Sequence, residues 1–163
     1  MLNVTQFRDN VVKPALKTLA LGNADMNSPQ AEELLMGTAV QESSLIYLRQ
    51  LSGGPGLGVF QIEPSTHDDV WTNYLAFRPE LAAVVNTLAA GGKGTSAQLP
   101  WNMGYSAAIA RLVYWRAPAA MPAASGGTQA LAAFWKQYYN TGSGAGTAAQ
   151  WVNNYNTYVV PAG

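Results

Sequence analysis

The chain has 163 residues, a formal net charge of zero and only 11% charged residues. That balance excludes the basic patch of a nucleic-acid binder and any strong steering toward an anionic surface. With no cysteine and a single histidine, His67, there is no disulfide framework. Most zinc sites, and Cys or Ser–His nucleophilic machinery, are argued against as well. The length fits one domain, 1–163, large enough for a real core.

Residues 3–21 carry Val4, Phe7, Val11, Val12, Leu16 and Leu19 at helical spacing. Pro14 is expected to kink that helix or split it in two, and Gly22 closes it. The opening residues lack the basic stretch and apolar run of a secretory signal. Ser28-Pro29 supply an N-cap and a first-turn proline for a helix to about 43, with Glu32 and Glu33 near its positive end. Residues 52–58 hold four glycines and a proline, which suits tight turns and close backbone approach to a ligand. Thr66 reads as an N-cap with Asp69 three residues on, opening a helix to about 74. Asp68 and Asp69 then read as capping and surface residues, and His67 as a local hydrogen-bonding residue. Further helices are expected over 79–90, 101–116, 128–139 with Thr128 as cap, and 147–158 from Thr147. A second Gly-rich loop carries Gly142, Gly144 and Gly146. No apolar run approaches a membrane span. The fold class is mainly α, about seven helices in one domain with Gly-rich loops, leaving room for one short β-hairpin near 57–62.

Glu42 stands out among nine acidic residues. Leu34, Thr38 and Glu42 lie at i, i+4 and i+8, and Leu35 and Ala39 share that side. A carboxyl facing an apolar interior is held neutral, and a neutral carboxyl near pH 7 is a general acid. Against this stands the plain reading of a helix-terminal acid in a salt bridge. Glu63 follows soon after, beside Gln61 and before Pro64. It reads either as an acid favoured by a helix N-terminus or as a second carboxylate facing Glu42 across a cleft. Most of the five Trp, eight Tyr and four Phe must be core. Tyr138, Tyr139 and Asn140, directly before the second Gly-rich loop, are the aromatic and amide candidates to line a sugar site.

Three motifs occur in order: Glu42-Ser43 at a helix end; Gly58-Val59-Phe60-Gln61-Ile62-Glu63-Pro64-Ser65-Thr66; and Tyr139-Asn140-Thr141-Gly142. Together with the following Trp151 and Tyr155 they resemble the soluble lytic transglycosylases and goose-type lysozymes, over roughly residues 30–158. The resemblance implies a lysozyme-like helical enzyme that cuts the β-1,4 link from N-acetylmuramic acid to N-acetylglucosamine in bacterial peptidoglycan. It implies Glu42 as acid/base, and Ser52, Phe60, Gln61, Tyr139 and Asn140 as residues lining the substrate. Phe60 stands where the transglycosylases usually have Met. The segment Asn102 to Arg116 resembles the family helix beneath the cleft. Glu63 sits where goose-type lysozymes tend to carry an acid that orients water, so hydrolysis is slightly favoured. Transglycosylases lack that acid and form 1,6-anhydro ends instead.

No metal or organic cofactor is implied. The expected partner is the glycan strand of peptidoglycan, with no nucleic acid and no membrane span, bound by a monomer. Without a signal sequence or wall-binding module, the resemblance implies a bacteriophage endolysin or virion-associated lysin, delivered to the wall through a holin pore or by injection. The reading from a different class is a non-catalytic glycan-binding or structural virion protein that keeps the fold. A third is an unrelated helical interaction domain, which would leave the Gly-rich loops unexplained.

Overall fold

The computed structural model describes residues 1–141 and 144–162. Gly142 and Ser143 of the second Gly-rich loop therefore lie outside the described residues. The chain is mainly α: α1 Val4–Phe7, α2 Lys13–Leu19, α3 Pro29–Ser43, α4 Pro64–Asn73, α5 Pro79–Leu88, α6 Met103–Trp115, α7 Gly127–Trp135 and α8 Ala148–Asn154. Strand pairing among the described residues is limited to isolated bridges, Arg49 with Leu57 and Leu57 with Ile62. The expected hairpin near 57–62 is thus a single tight turn, closed by mutual 3.0 Å bonds between Leu57 and Ile62.

Helix α3 is the centre of the molecule. Ser28 Oγ accepts from the Ala31 N–H, and Pro29 occupies the first turn, where a missing N–H costs nothing. Every residue from Leu34 to Val40 is buried. A helix apolar all round needs neighbours on every side, and α2, α6, α7 and α8 supply them. The closest approach is at Gly37, where an added Cβ would stand 2.0 Å from the Trp151 ring. Only a residue without a side chain lets α8 lie this close. Arg8 anchors the other end, reaching Glu32 at 2.6 Å and Glu33 at 2.5 Å, while the Tyr155 hydroxyl donates to Glu33 at 2.6 Å.

Several local expectations need correction. The expected interruption near Pro14 takes the form of a π turn just before it, between two α-helical pieces. A π-helical turn, Arg8–Val12, joins α1 to α2, with the Lys13 N–H reaching the Arg8 carbonyl. The wider turn accommodates the proline ring. Thr66 is not a cap, because α4 starts two residues earlier at Pro64 and Glu63 holds the cap position without a side-chain bond. The first-turn proline supplies the start signal expected of Thr66. Helix α7 starts at Gly127 with no side-chain cap, so Thr128 does not cap it either. Thr147 does cap α8, in a reciprocal box with Gln150. Two further π turns, Lys136–Asn140 and Tyr155–Val159, extend α7 and α8.

Replacing Gly37 by Ala should force Trp151 out of its seat. Overpacking of this kind destabilises by about 3 kcal/mol, and the denaturant midpoint of Gly37→Ala should fall accordingly while the m-value holds.

Candidate active site

Glu42 lies in the last turn of α3, just past the buried run, with most of its surface covered and the remainder on a cleft. Burial raises its pKa from an ordinary 4.5 to about 7, and a hydrogen bond from Trp135 acts the other way. The negative end of the α3 dipole also opposes ionisation. The Trp135 indole N–H donates to Glu42 Oε1 at 2.9 Å. Two phenols sit nearby, both held neutral: burial pushes Tyr114 and Tyr139 well above their ordinary value, and the Glu42 charge adds to it. The Tyr139 hydroxyl donates to the Phe60 carbonyl at 2.7 Å. Thr38 gives its hydroxyl proton to the Leu34 carbonyl at 2.7 Å, so the Tyr114 hydroxyl must donate to Thr38 across their 2.6 Å contact.

The cleft has a volume of about 600 Å³, within the usual size of a small-molecule site. Its lining comes from three places. Glu42 and Val113 come from the core helices α3 and α6. Gln50, Gln61, Ile62, Glu63 and Thr66 come from the first Gly-rich region and the start of α4. Tyr139, Asn140, Thr141, Gly144 and Ala145 come from the π turn after α7 and the second Gly-rich loop. Gln50 Oε1 accepts from the Gly56 N–H at 3.0 Å, and Gln61 Nε2 donates to the Gly58 carbonyl at 2.8 Å. Both amides are thereby fixed by backbone. Gly58 has φ +71°, and a Cβ there would lie 2.2 Å from the Leu99 carbonyl, so this turn admits only glycine. Gln61 itself has φ 48° and Thr141 φ 59°. Ser44 and Leu45, which follow the acid, have φ 52° and 51°. Left-handed backbone at non-glycine residues is strained, and such strain concentrates at functional sites.

Of the residues expected from the sequence, Glu42, Glu63, Gln61, Tyr139 and Asn140 meet at this cleft. Ser52 and Phe60 do not. Ser52 is exposed on the far stretch of its loop, outside the lining. Phe60 is fully buried, with its ring 6.1 Å from that of Phe7. The tight turn at 57–62 sends Val59 and Phe60 into the core, so Phe60 contributes only its carbonyl. Tyr138 also turns away, packing on Phe134 at 4.8 Å. Glu63 is exposed, and Ser65 lies 3.5 Å from its carboxylate. Asp69 is on the surface, paired with Arg116 at 2.7 Å.

His67 is buried, and its bonding is only half local. Its Nδ1 lies 2.8 Å from Asp68 and its Nε2 2.7 Å from the Tyr105 hydroxyl, which also accepts from Trp71. An Nδ1 facing a carboxylate carries a proton, and in the neutral ring Nε2 then accepts from Tyr105.

Trp135, Gln50 and Val113 were not legible as site residues. One signal existed for Trp135, which stands four residues before Tyr139 on the same helix. Among the described residues no group of three or more His, Cys, Asp or Glu could hold a metal ion, and no helix is long and apolar enough to cross a membrane. Comparison with protein-family models, curated proteins and solved structures finds no match to this chain.

Glu42 ties stability to pH. Its folded pKa of about 7 lies above the ordinary 4.5. The stability carried by its neutral form is therefore complete below about pH 4.5 and is lost as pH rises through about 7. Glu42→Gln, fixed in a neutral form, should match the wild type near pH 4 and exceed it at pH 8 by about 3 kcal/mol. Chemical denaturation at the two pH values measures this.

Proposed function

We propose that this protein is a peptidoglycan-degrading glycosidase. It cuts the β-1,4 bond between N-acetylmuramic acid and N-acetylglucosamine, with Glu42 as general acid/base. The observation that carries this reading is the Glu42 carboxyl, held neutral up to about pH 7 and exposed to a polar cleft. A neutral carboxyl there protonates the glycosidic oxygen as the C–O bond breaks, and the resulting carboxylate then serves as base. Support for a glycan substrate comes from the lining, in which fixed amides of Gln50, Gln61 and Asn140 stand beside the Tyr139 ring. Sugar edges need hydrogen bonds and sugar faces need apolar contact. The ordered motifs that resemble lytic transglycosylases and goose-type lysozymes point to the same substrate.

Glu63 favours hydrolysis over transglycosylation. It lines the same cleft and is exposed, a place from which a second carboxyl can activate a water. The second reading rests on Glu42 being the one carboxyl of the pair that is enclosed. In that case the substrate's own 6-hydroxyl attacks the anomeric carbon, Glu42 takes its proton, and a 1,6-anhydro end results.

Glu42→Gln should lower the release of soluble wall fragments by about 10³-fold or more while the protein stays folded. Retained activity overturns the proposal, and wall binding without products in the wild type favours a non-catalytic glycan binder. Mass spectrometry of the wild-type fragments separates the two reactions. Reducing muramic ends are expected for hydrolysis, with Glu63→Gln then losing about 10²-fold. Fragments lighter by one water establish the transglycosylase. The rate should fall tenfold per pH unit above about pH 7, as the Glu42 proton is lost.

A further inference from the structure

We propose that Trp135 is the positioning residue that orients Glu42, and that the absence of a side chain at Gly146 sets how closely it does so. This inference rests on Glu42 being the acid of the cleft.

The Trp135 indole is fully buried, and its N–H is 2.9 Å from Glu42 Oε1. An indole nitrogen only donates. The carbonyl oxygen of a neutral carboxyl is the stronger acceptor, so this bond favours Oε1 as carbonyl and Oε2 as the site of the proton. The two phenols that feel the Glu42 charge give their protons elsewhere. Tyr139 gives its proton to the Phe60 carbonyl, and Tyr114 gives its own to Thr38. They and Glu63, in the same cleft, are the titratable groups facing Glu42. One donor therefore decides both which oxygen carries the acidic proton and how readily it leaves.

The far edge of the same ring supports the second Gly-rich loop. A Cβ on Gly146 would stand 2.7 Å from Trp135 Cη2 and 3.2 Å from Gln41 Nε2. Gly146 is not among the residues with positive φ, so its need for glycine is set by this contact and not by its backbone. Lys136, the next residue along, fixes the loop from the other side. Its ammonium donates to Asn140 Oδ1 at 2.7 Å and to the Gly144 carbonyl at 2.8 Å. Gly144 and Ala145 of this loop line the cleft. The indole is thus a rigid strut, with a cleft wall resting on one edge and the acid held at the other. Any side chain at residue 146 would press on the ring and shift its N–H out of line with Glu42 Oε1.

The test follows the Glu42 side-chain carboxyl by 13C NMR across pH in the full chain, with Glu42→Gln to assign the signal. Trp135→Phe removes the N–H and keeps an aromatic ring. Its Glu42 midpoint should rise by about one pH unit, and the alkaline limb of kcat should rise with it while KM holds. Gly146→Ala, which touches neither substrate nor acid, should move the midpoint the same way by less. A midpoint unmoved in Trp135→Phe overturns the proposal, as does an unmoved midpoint in Gly146→Ala. If Trp135→Phe fails to fold, Gly146→Ala decides alone. These titrations need no turnover. A wild type that releases no sugar sinks the glycosidase reading and leaves the Trp135 result standing, whereas an unmoved midpoint in an active enzyme does the reverse.

Discussion

The enclosure of α3 is the constraint on which the rest depends. For two turns this helix meets protein on every side, and at Glu42 it meets the cleft. A carboxylate at that point would be poorly solvated and would sit at the wrong end of a helix dipole. The raised pKa of Glu42 therefore follows from packing and not from a dedicated charge partner. The neighbours that enclose α3 also deliver the site. Helix α6 brings Val113 to the cleft and Tyr114 beside the acid, α7 brings Trp135, and the turn after α7 brings Tyr139 and Asn140.

The π turn Lys136–Asn140 is part of that delivery. Adding one residue to a helical turn rotates the succeeding side chains by about 100° relative to a regular helix. Trp135 is packed in the core, while Tyr139 and Asn140, a few residues later, stand at the cleft. Tyr139 then bonds across to the Phe60 carbonyl, joining the two Gly-rich regions on either side of Glu42. Residues with φ above zero gather on the same segments, at Ser44, Leu45, Gln61 and Thr141. A fifth such non-glycine residue among those described, Ser52, lies outside the cleft lining.

What was legible in the sequence was whatever local chemistry decides. Ser28-Pro29 and Thr147 mark helix starts through bonds made within one turn, and the helical spacing of Leu34, Thr38 and Glu42 placed the acid on the apolar face. Thr66 and Thr128 carried the same kind of signal, but a first-turn proline and an uncapped glycine start took precedence. Phe60 and Ser52 illustrate a different limit. Motif position placed them on the right loop, yet the direction of a side chain in a tight turn is set by which neighbour has room for it. The bond from Trp135 to Glu42 joins residues 93 positions apart, and no local pattern encodes such a pairing. Gly37 and Gly146 are the same case, since each glycine is required by a ring that arrives from elsewhere in the chain.

The uneven enclosure of the site also has a consequence for its motions. Amide hydrogens along α3 are shielded by packed helices on all sides, so they exchange with solvent only when most of the molecule opens. The walls around Gln50, Gln61 and Gly144 are held by a few short-range bonds, and segments of that kind open at far lower free energy. The cleft is therefore built from the two ends of the stability range. Its walls can open locally while Glu42 stays held at the end of a helix that opens only with most of the molecule.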